Sequence, residues 1–154
     1  MIRMTKQTDY GIVLLSRMAG LPGRLFNATE LALVSRLPQP TVSKILKILA
    51  RAGLLESHRG VKGGYTLARD PEGITVTEVI GALEGPIGIT ECIDDTPGEC
   101  SHEARCPVRG NWHRINEAIR QALDGINLAE MAQPQAPPLV SLGGAMTAPN
   151  AELG

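Results

Sequence analysis

A mainly α-helical chain, with one small β-hairpin among short helices and a long helix towards the C-terminal end, is the fold class that three observations predict. Apolar residues recur at three- and four-residue steps in four segments before residue 85, and more regularly from Val108 to Ile126. A glycine-rich hexapeptide, Arg59 to Gly64, is bracketed by two short strand-like segments. At 154 residues the chain is long enough for one domain with a core plus an oligomerisation arm.

The first helix runs from Lys6 to about Ala19, with Tyr10, Val13, Leu14, Arg17, Met18 and Leu21 along its inner line, and Gly20-Leu21-Pro22-Gly23 ends it. Asn27 and Glu30 have the N-cap to N3 spacing of a capping box, so a short second helix starts there, with Leu31 and Val34 on its apolar face. A turn through Ser35 to Pro38 leads to a third helix, with Pro40 in its first turn and Gly53 just past its end. Val42, Ile45, Leu46, Leu49 and Ala52 form its inner face. Thr41, Ser43, Lys44, Lys47 and Arg51 form the outer one. Two short helices joined by a turn, the second offering small polar and basic groups from its N-terminal end, match a helix-turn-helix that reads the major groove of DNA.

Leu54 to His58 and Tyr65 to Leu67 read as strands around Arg59-Gly60-Val61-Lys62-Gly63-Gly64. The hairpin resembles a wing, on which Arg59 suits a narrow minor groove and Lys62 a phosphate. Its glycine spacing fits neither dinucleotide nor P-loop fingerprints. A fourth helix spans Thr75 to Leu83 on Val76, Val79, Ile80 and Leu83, and Gly85-Pro86 stops it. Residues 87–106 have no periodicity and hold all three cysteines among five acids. From Pro107, Val108, Trp112, Ile115, Ile119, Ala122 and Ile126 repeat at four, three, four, three and four residues, an a/d seam that predicts a homodimer. Asn127 to Ala132 add a last turn, and the Pro- and Gly-rich segment after it is expected to be disordered. The expected organisation is a winged helix-turn-helix at 1–86, a cysteine loop at 87–106, a dimerisation helix at 107–132 and a tail at 133–154.

The formal net charge is only -1, but residues 1–70 carry eleven Lys and Arg against four acids, a net of +7, leaving -8 for the remainder. A basic half on an acidic one suits a polyanion partner, because phosphate contacts release counterions. No apolar core of signal-peptide length opens the chain and no window approaches the roughly 20 apolar residues of a membrane span, so a cytoplasmic protein without membrane contact is expected. No nucleophile-base pair or cofactor fingerprint supports catalysis.

An odd number of cysteines in a reducing compartment argues against a disulfide framework. Cys92, Cys100 and Cys106 have seven and five residues between them, wider than common zinc knuckles. Spacing leaves three readings open: an iron-sulfur cluster, zinc, or redox-sensing thiols. A loop around a cluster needs no tight knuckle, since its ligands converge on different irons. Cys106 also precedes a helix N-terminus, which stabilises anionic charge by about 0.3–1 kcal/mol at exposed sites.

From residues 3 to 132 the chain resembles the winged-helix iron-sulfur transcription regulators typified by IscR and NsrR, and within them regulators of the SUF cluster-assembly operon. The matching stretches are Thr5-Lys6 through Tyr10, Arg59-Gly60 with Gly63 to Arg69, Ile74-Thr75 with Val79-Ile80 and Leu83-Glu84-Gly85, and the three-cysteine loop before a helix. The resemblance implies a homodimeric repressor on a pseudo-palindromic double-stranded operator, with Ser43 and Lys44 at bases and Arg59 in the minor groove. It also implies a [2Fe-2S] or [4Fe-4S] cluster on Cys92, Cys100 and Cys106. The first inter-cysteine gap is two residues longer than in IscR-like members, and Arg109 stands where those offer His. Asp9 matches the Asp that NsrR-like members supply from the partner's first helix; His102 and His113 are the local alternatives for the fourth ligand. A nitric-oxide or redox-responsive repressor is the alternative within regulation. A small iron-sulfur electron carrier, needing neither wing nor basic half, is the alternative outside it.

Overall fold

The computed structural model describes residues 3–90, 93 and 105–134. Six α-helices and one hairpin follow in the order α1 (Lys6–Ala19), α2 (Ala28–Ser35), α3 (Gln39–Arg51), β1 (Leu55–His58), β2 (Gly64–Leu67), α4 (Val76–Glu84), α5 (Arg109–Asp124) and α6 (Leu128–Met131), with a 3-10 turn at Pro71–Gly73. Among these residues no helix is long and apolar enough to cross a membrane. Cys92, Cys100, His102 and the expected tail beyond Pro134 lie outside the described residues.

One core joins the head. Leu14, Leu15 and Met18 of α1, Leu31 of α2, Ile45, Leu46 and Leu49 of α3, Ile74, Val79 of α4 and Leu128 of α6 are fully buried together. Each buried side chain of this size contributes about 1.5–3 kcal/mol.

The inner line of α1 is rotated from expectation: Thr8, Gly11, Leu14, Leu15, Met18 and Ala19 are buried, whereas Val13, Arg17 and Leu21 are exposed. Ile12 to Leu15 are consecutively apolar, so periodicity alone does not set the phase. Gly11 does, since an added Cβ would stand 2.4 Å from Leu83 Cδ1, and this close approach turns its line towards α4. On α2, Ala32 rather than Val34 accompanies Leu31 inside, and Leu33 is 78% exposed. Ala52 is the exposed C-cap of α3 rather than part of its inner face.

Capping explains most helix starts. Thr5, Asn27 and Asn127 accept from the backbone N–H three residues on, and Thr75 with Glu78 completes a reciprocal capping box. Glu84, the last residue of α4, accepts from Thr5 N (2.8 Å), Thr5 Oγ1 (2.9 Å) and Thr8 Oγ1, pinning α4 to the positive end of α1. The Thr8 hydroxyl, then the Thr5 groups, hold the Glu84 carboxyl below its ordinary range against the opposing effect of partial burial. A depressed folded-state value stabilises above the unfolded value, and that contribution disappears as pH falls through the folded one. Glu84→Gln is therefore expected to cost about 1 kcal/mol at pH 7. The difference from the parent should vanish on acidification; urea midpoints across pH measure this, and identical midpoints at pH 7 would contradict it.

The hairpin pairs antiparallel from Leu55 opposite Leu67 to His58 opposite Gly64, and Gly60 at φ 116° with Gly63 N donating to Gly60 O (2.9 Å) reverses the chain. Phe26 adds a rung on the other edge of β2: its N–H donates to Tyr65 O (2.9 Å) and its carbonyl accepts from Tyr65 N (2.7 Å). This brings the Phe26 backbone so close that a Cβ on Gly64 would lie 2.3 Å from Phe26 O and 2.8 Å from Phe26 C. Gly64→Ala is expected to destabilise by about 1–3 kcal/mol through backbone overpacking. An unchanged urea midpoint would contradict that rung.

The seam helix starts at Arg109, after Pro107 and the N-cap Val108. It packs on α4, and its own apolar stripe is uncovered: Val108, Trp112 and Ile115 are 45%, 37% and 45% exposed. The last turn expected at 127–132 is a separate helix, α6, that returns to the head. Leu128 N donates to Ile74 O (3.0 Å), Val76 N to Ile126 O (2.9 Å), and Asn127 bridges Thr75. An Asn127 N-cap, not the apolar period, marks this break.

Candidate nucleic-acid interface and cysteine loop

The helix-turn-helix is built by a left-handed corner. Arg36 adopts φ 54° and ψ 40°, which lets Arg36 N donate to Leu33 O (3.3 Å) and Leu37 N to Ala32 O (3.0 Å), closing α2. Gln39 Nε2 then donates to Thr29 Oγ1 (2.8 Å), tying the start of α3 to α2. The N-cap of α3, Pro38, supplies no side-chain acceptor. Of the first three residues of α3 only Gln39 and Thr41 carry an N–H, because Pro40 has none.

With Val42, Ile45, Leu46 and Leu49 buried, α3 turns Lys44, Lys47 and Arg51 to solvent and leaves Thr41 and Ser43 half-buried. The wing is planted on the C-terminal end of this helix through Leu54, whose N–H donates to Leu49 O (3.0 Å) and whose carbonyl accepts from Ala68 N (3.1 Å). Arg59 and Lys62 are exposed on the wing, Val61 projects fully at its tip, and His58 Nε2 hydrogen-bonds Thr66 Oγ1 (3.0 Å) across the strands.

The cations of the first half divide into two groups that charge counting does not separate. Arg24 pairs with Glu30 and stacks 4.6 Å over the Phe26 ring; Arg69 reaches Glu78 (2.7 Å) and Gly73 O (2.8 Å). Both are spent inside the head, and Glu78 is correspondingly held below the ordinary carboxylate range, with partial burial opposing the Thr75 and Arg69 contacts. The other nine cations form no ion pair among the described residues: Arg3, Lys6, Arg17 and Arg36, and the five on α3 and the wing, Lys44, Lys47, Arg51, Arg59 and Lys62. The nine-residue separation of Arg69 from Glu78 follows no helical period, which hid the pair in the sequence.

Cys106 is a free, half-buried thiol two residues ahead of the α5 N-cap, and its carbonyl accepts from Arg109 N (3.4 Å). Asp9 lies exposed on the first turn of α1, beside a surface cavity lined by Ile12, Val13, Arg17 and Met131. His113 is exposed on the second turn of α5. Among the described residues no three His, Cys, Asp or Glu side chains cluster as metal ligands. A soft thiolate at a helix entrance is a donor that suits iron-sulfur or zinc, whereas a cation-bearing Arg109 is not a ligand.

Residues 4–134 match a family model described as Rrf2, iron-dependent transcriptional regulator. The HTH-type transcriptional regulator NsrR of Bacillus subtilis (strain 168) is 34% identical over 119 residues, covering 77% of this chain and 80% of that protein. Among solved structures, CymR (YrzC), the global cysteine regulator of B. subtilis, superposes with a TM-score of 0.68 at 28% identity, covering 86% of this chain and 97% of that one. IscR of T. potens superposes with a TM-score of 0.63 at 27% identity, covering 84% and 85%.

Proposed function

Because this chain belongs to the Rrf2 family of iron-dependent transcriptional regulators, we propose that it is a homodimeric repressor of SUF-type iron-sulfur assembly genes that senses through a cysteine-held cluster. It is a DNA-binding transcriptional regulator rather than an enzyme. The observation that carries the DNA-reading assignment is the placement of five exposed cations together on α3 and the wing, none in an ion pair among the described residues, while Arg24 and Arg69 are engaged with Glu30 and Glu78. In this reading Thr41, Ser43 and Lys44 face bases from the N-terminal half of α3. Lys47, Arg51 and Lys62 neutralise phosphates, and Arg59 enters the minor groove.

The uncovered stripe of Val108, Trp112 and Ile115 pairs two chains through α5. Cys92, Cys100 and Cys106 would hold an iron-sulfur cluster, with Asp9 of the partner subunit as the fourth ligand. Such a cluster supplies a redox- and ligand-sensitive centre. The half-buried Cys106 at the entrance of α5 and an exposed Asp9 available to a second chain support this assignment.

Footprinting tests the dimer on DNA. Two protected half-sites about 10 bp apart, or a multiple of that, are expected; one isolated half-site would contradict it. Lys47→Ala should weaken binding evenly across sequences and lower the slope of log affinity against log salt by about 1.

A further inference from the structure

We propose that Val61, at the tip of the wing, selects A·T over G·C pairs in the minor groove by refusing the guanine 2-amino group. The proposal rests on the DNA-reading assignment above and concerns a residue to which that assignment gives no role. Val61 is fully exposed (108%), so its side chain touches nothing else in the chain. It stands between Arg59 and Lys62, which are exposed and form no ion pair among the described residues. An apolar group placed there adds nothing to the core. It is nevertheless held in place: the Phe26–Tyr65 rung and the His58–Thr66 hydrogen bond (3.0 Å) fix the strands beneath it. The turn is close enough that a Cβ on Gly63 would stand 2.9 Å from Gly60 O. A β-branched side chain is itself stiff at χ1, so little rotamer freedom is lost when it makes a contact.

The tip stands across an open groove of about 730 Å³ from the helix-turn-helix, with Thr29 and Leu33 of α2 on one side and Val61 and Lys62 on the other. Thr29 is also the residue that holds the start of α3 through Gln39 Nε2. A duplex that takes α3 into its major groove therefore runs one backbone strand through this space and brings the adjacent minor groove under the wing tip. Arg59 and Lys62 answer its negative potential and its phosphates. Val61, having neither donor nor acceptor, is left to the groove floor. A·T and T·A pairs present only acceptors there, whereas G·C adds the guanine amino donor. Val61 would cover that donor without pairing it, and an unpaired donor shut away from water is costly. Apolar side chains at the minor-groove floor are an established mode of contact, and this one discriminates by composition where Arg59 responds to groove width.

The test uses the full chain to select duplexes from a random oligonucleotide library, then replaces each A·T pair of the selected site by G·C and by inosine·C. Inosine keeps the O6 and N7 of guanine and lacks only its 2-amino group, so it restores affinity only where that amino group is refused. At one or more pairs in each half-site, G·C should weaken binding about fivefold or more and inosine·C should restore it. Val61→Ser, whose hydroxyl accepts from the amino group, should remove most of that penalty. Its melting temperature should equal the parent's, because Val61 has no contact to lose and no positive φ to strain. A full penalty retained in Val61→Ser would assign the discrimination to groove width and overturn the proposal, as would a site in which inosine·C rescues no pair. Enrichment of no sequence at all would overturn the DNA-reading assignment, and the proposal with it.

Discussion

Ile115→Glu is expected to convert the protein to a folded monomer and to lower operator affinity by a factor of roughly 10²–10⁴, the gain that linking two binding modules ordinarily brings. Val108, Trp112 and Ile115 present a narrow exposed stripe on a helix that packs on α4 and holds Ile87 O through Asn116. Pairing two such stripes buries knobs from both chains, and a carboxylate at the centre of that seam would be desolvated without a partner, costing several kcal/mol per chain. The head should survive, because its core is drawn from α1 to α4 and α6 with no residue of α5. Sedimentation and circular dichroism on the same sample separate the two effects. A variant that stays dimeric would remove α5 from the interface.

Arg59→Ala is expected to weaken specific operator binding by about 1–3 kcal/mol, a factor of about 5–150, with a much smaller loss on non-specific DNA. The wing carries this residue rigidly: the Phe26–Tyr65 rung and the Gly60–Gly63 turn define the hairpin at its base and tip. Arg59 makes no ion pair among the described residues that would compete with DNA. Lys62→Ala is the control, since a phosphate contact is lost equally on all sequences and shows as a lower salt slope. Equal losses on specific and random DNA for Arg59→Ala would assign it to the backbone and not to base or groove reading.

The parts of the fold that were legible in the sequence are those with a local chemical cause. Asn27 caps α2 as its spacing from Glu30 predicts, although the Glu30 carboxylate pairs with Arg24 instead of closing the box, and the α3 faces follow a strong 3.6-residue period over thirteen residues. What escaped was set by contacts distant in sequence. The phase of α1 depends on Gly11 meeting Leu83, and α6 is set by Leu128 N donating to Ile74 O and Ile126 O accepting from Val76 N, on either side of the Thr75–Asn127 bridge. An apolar period cannot distinguish a helix that continues from one that breaks and turns inward. The site divides in the same way. The outward cations of α3 and the wing were readable from period and turn chemistry, whereas the internal use of Arg24 and Arg69 depends on Glu30, Phe26 and Glu78 in three dimensions. The buried amide of Asn116 sits within a helix otherwise read as a dimer seam, and nothing in its neighbours' spacing announces its bond to Ile87 O.

Control of DNA reading by the cysteine loop is the central claim, and one comparison addresses it most directly: operator affinity of an anaerobic preparation before and after cluster removal, at fixed salt. The account predicts a change of at least tenfold, about 1.4 kcal/mol, abolished in Cys106→Ser. Identical affinities before and after removal would contradict it.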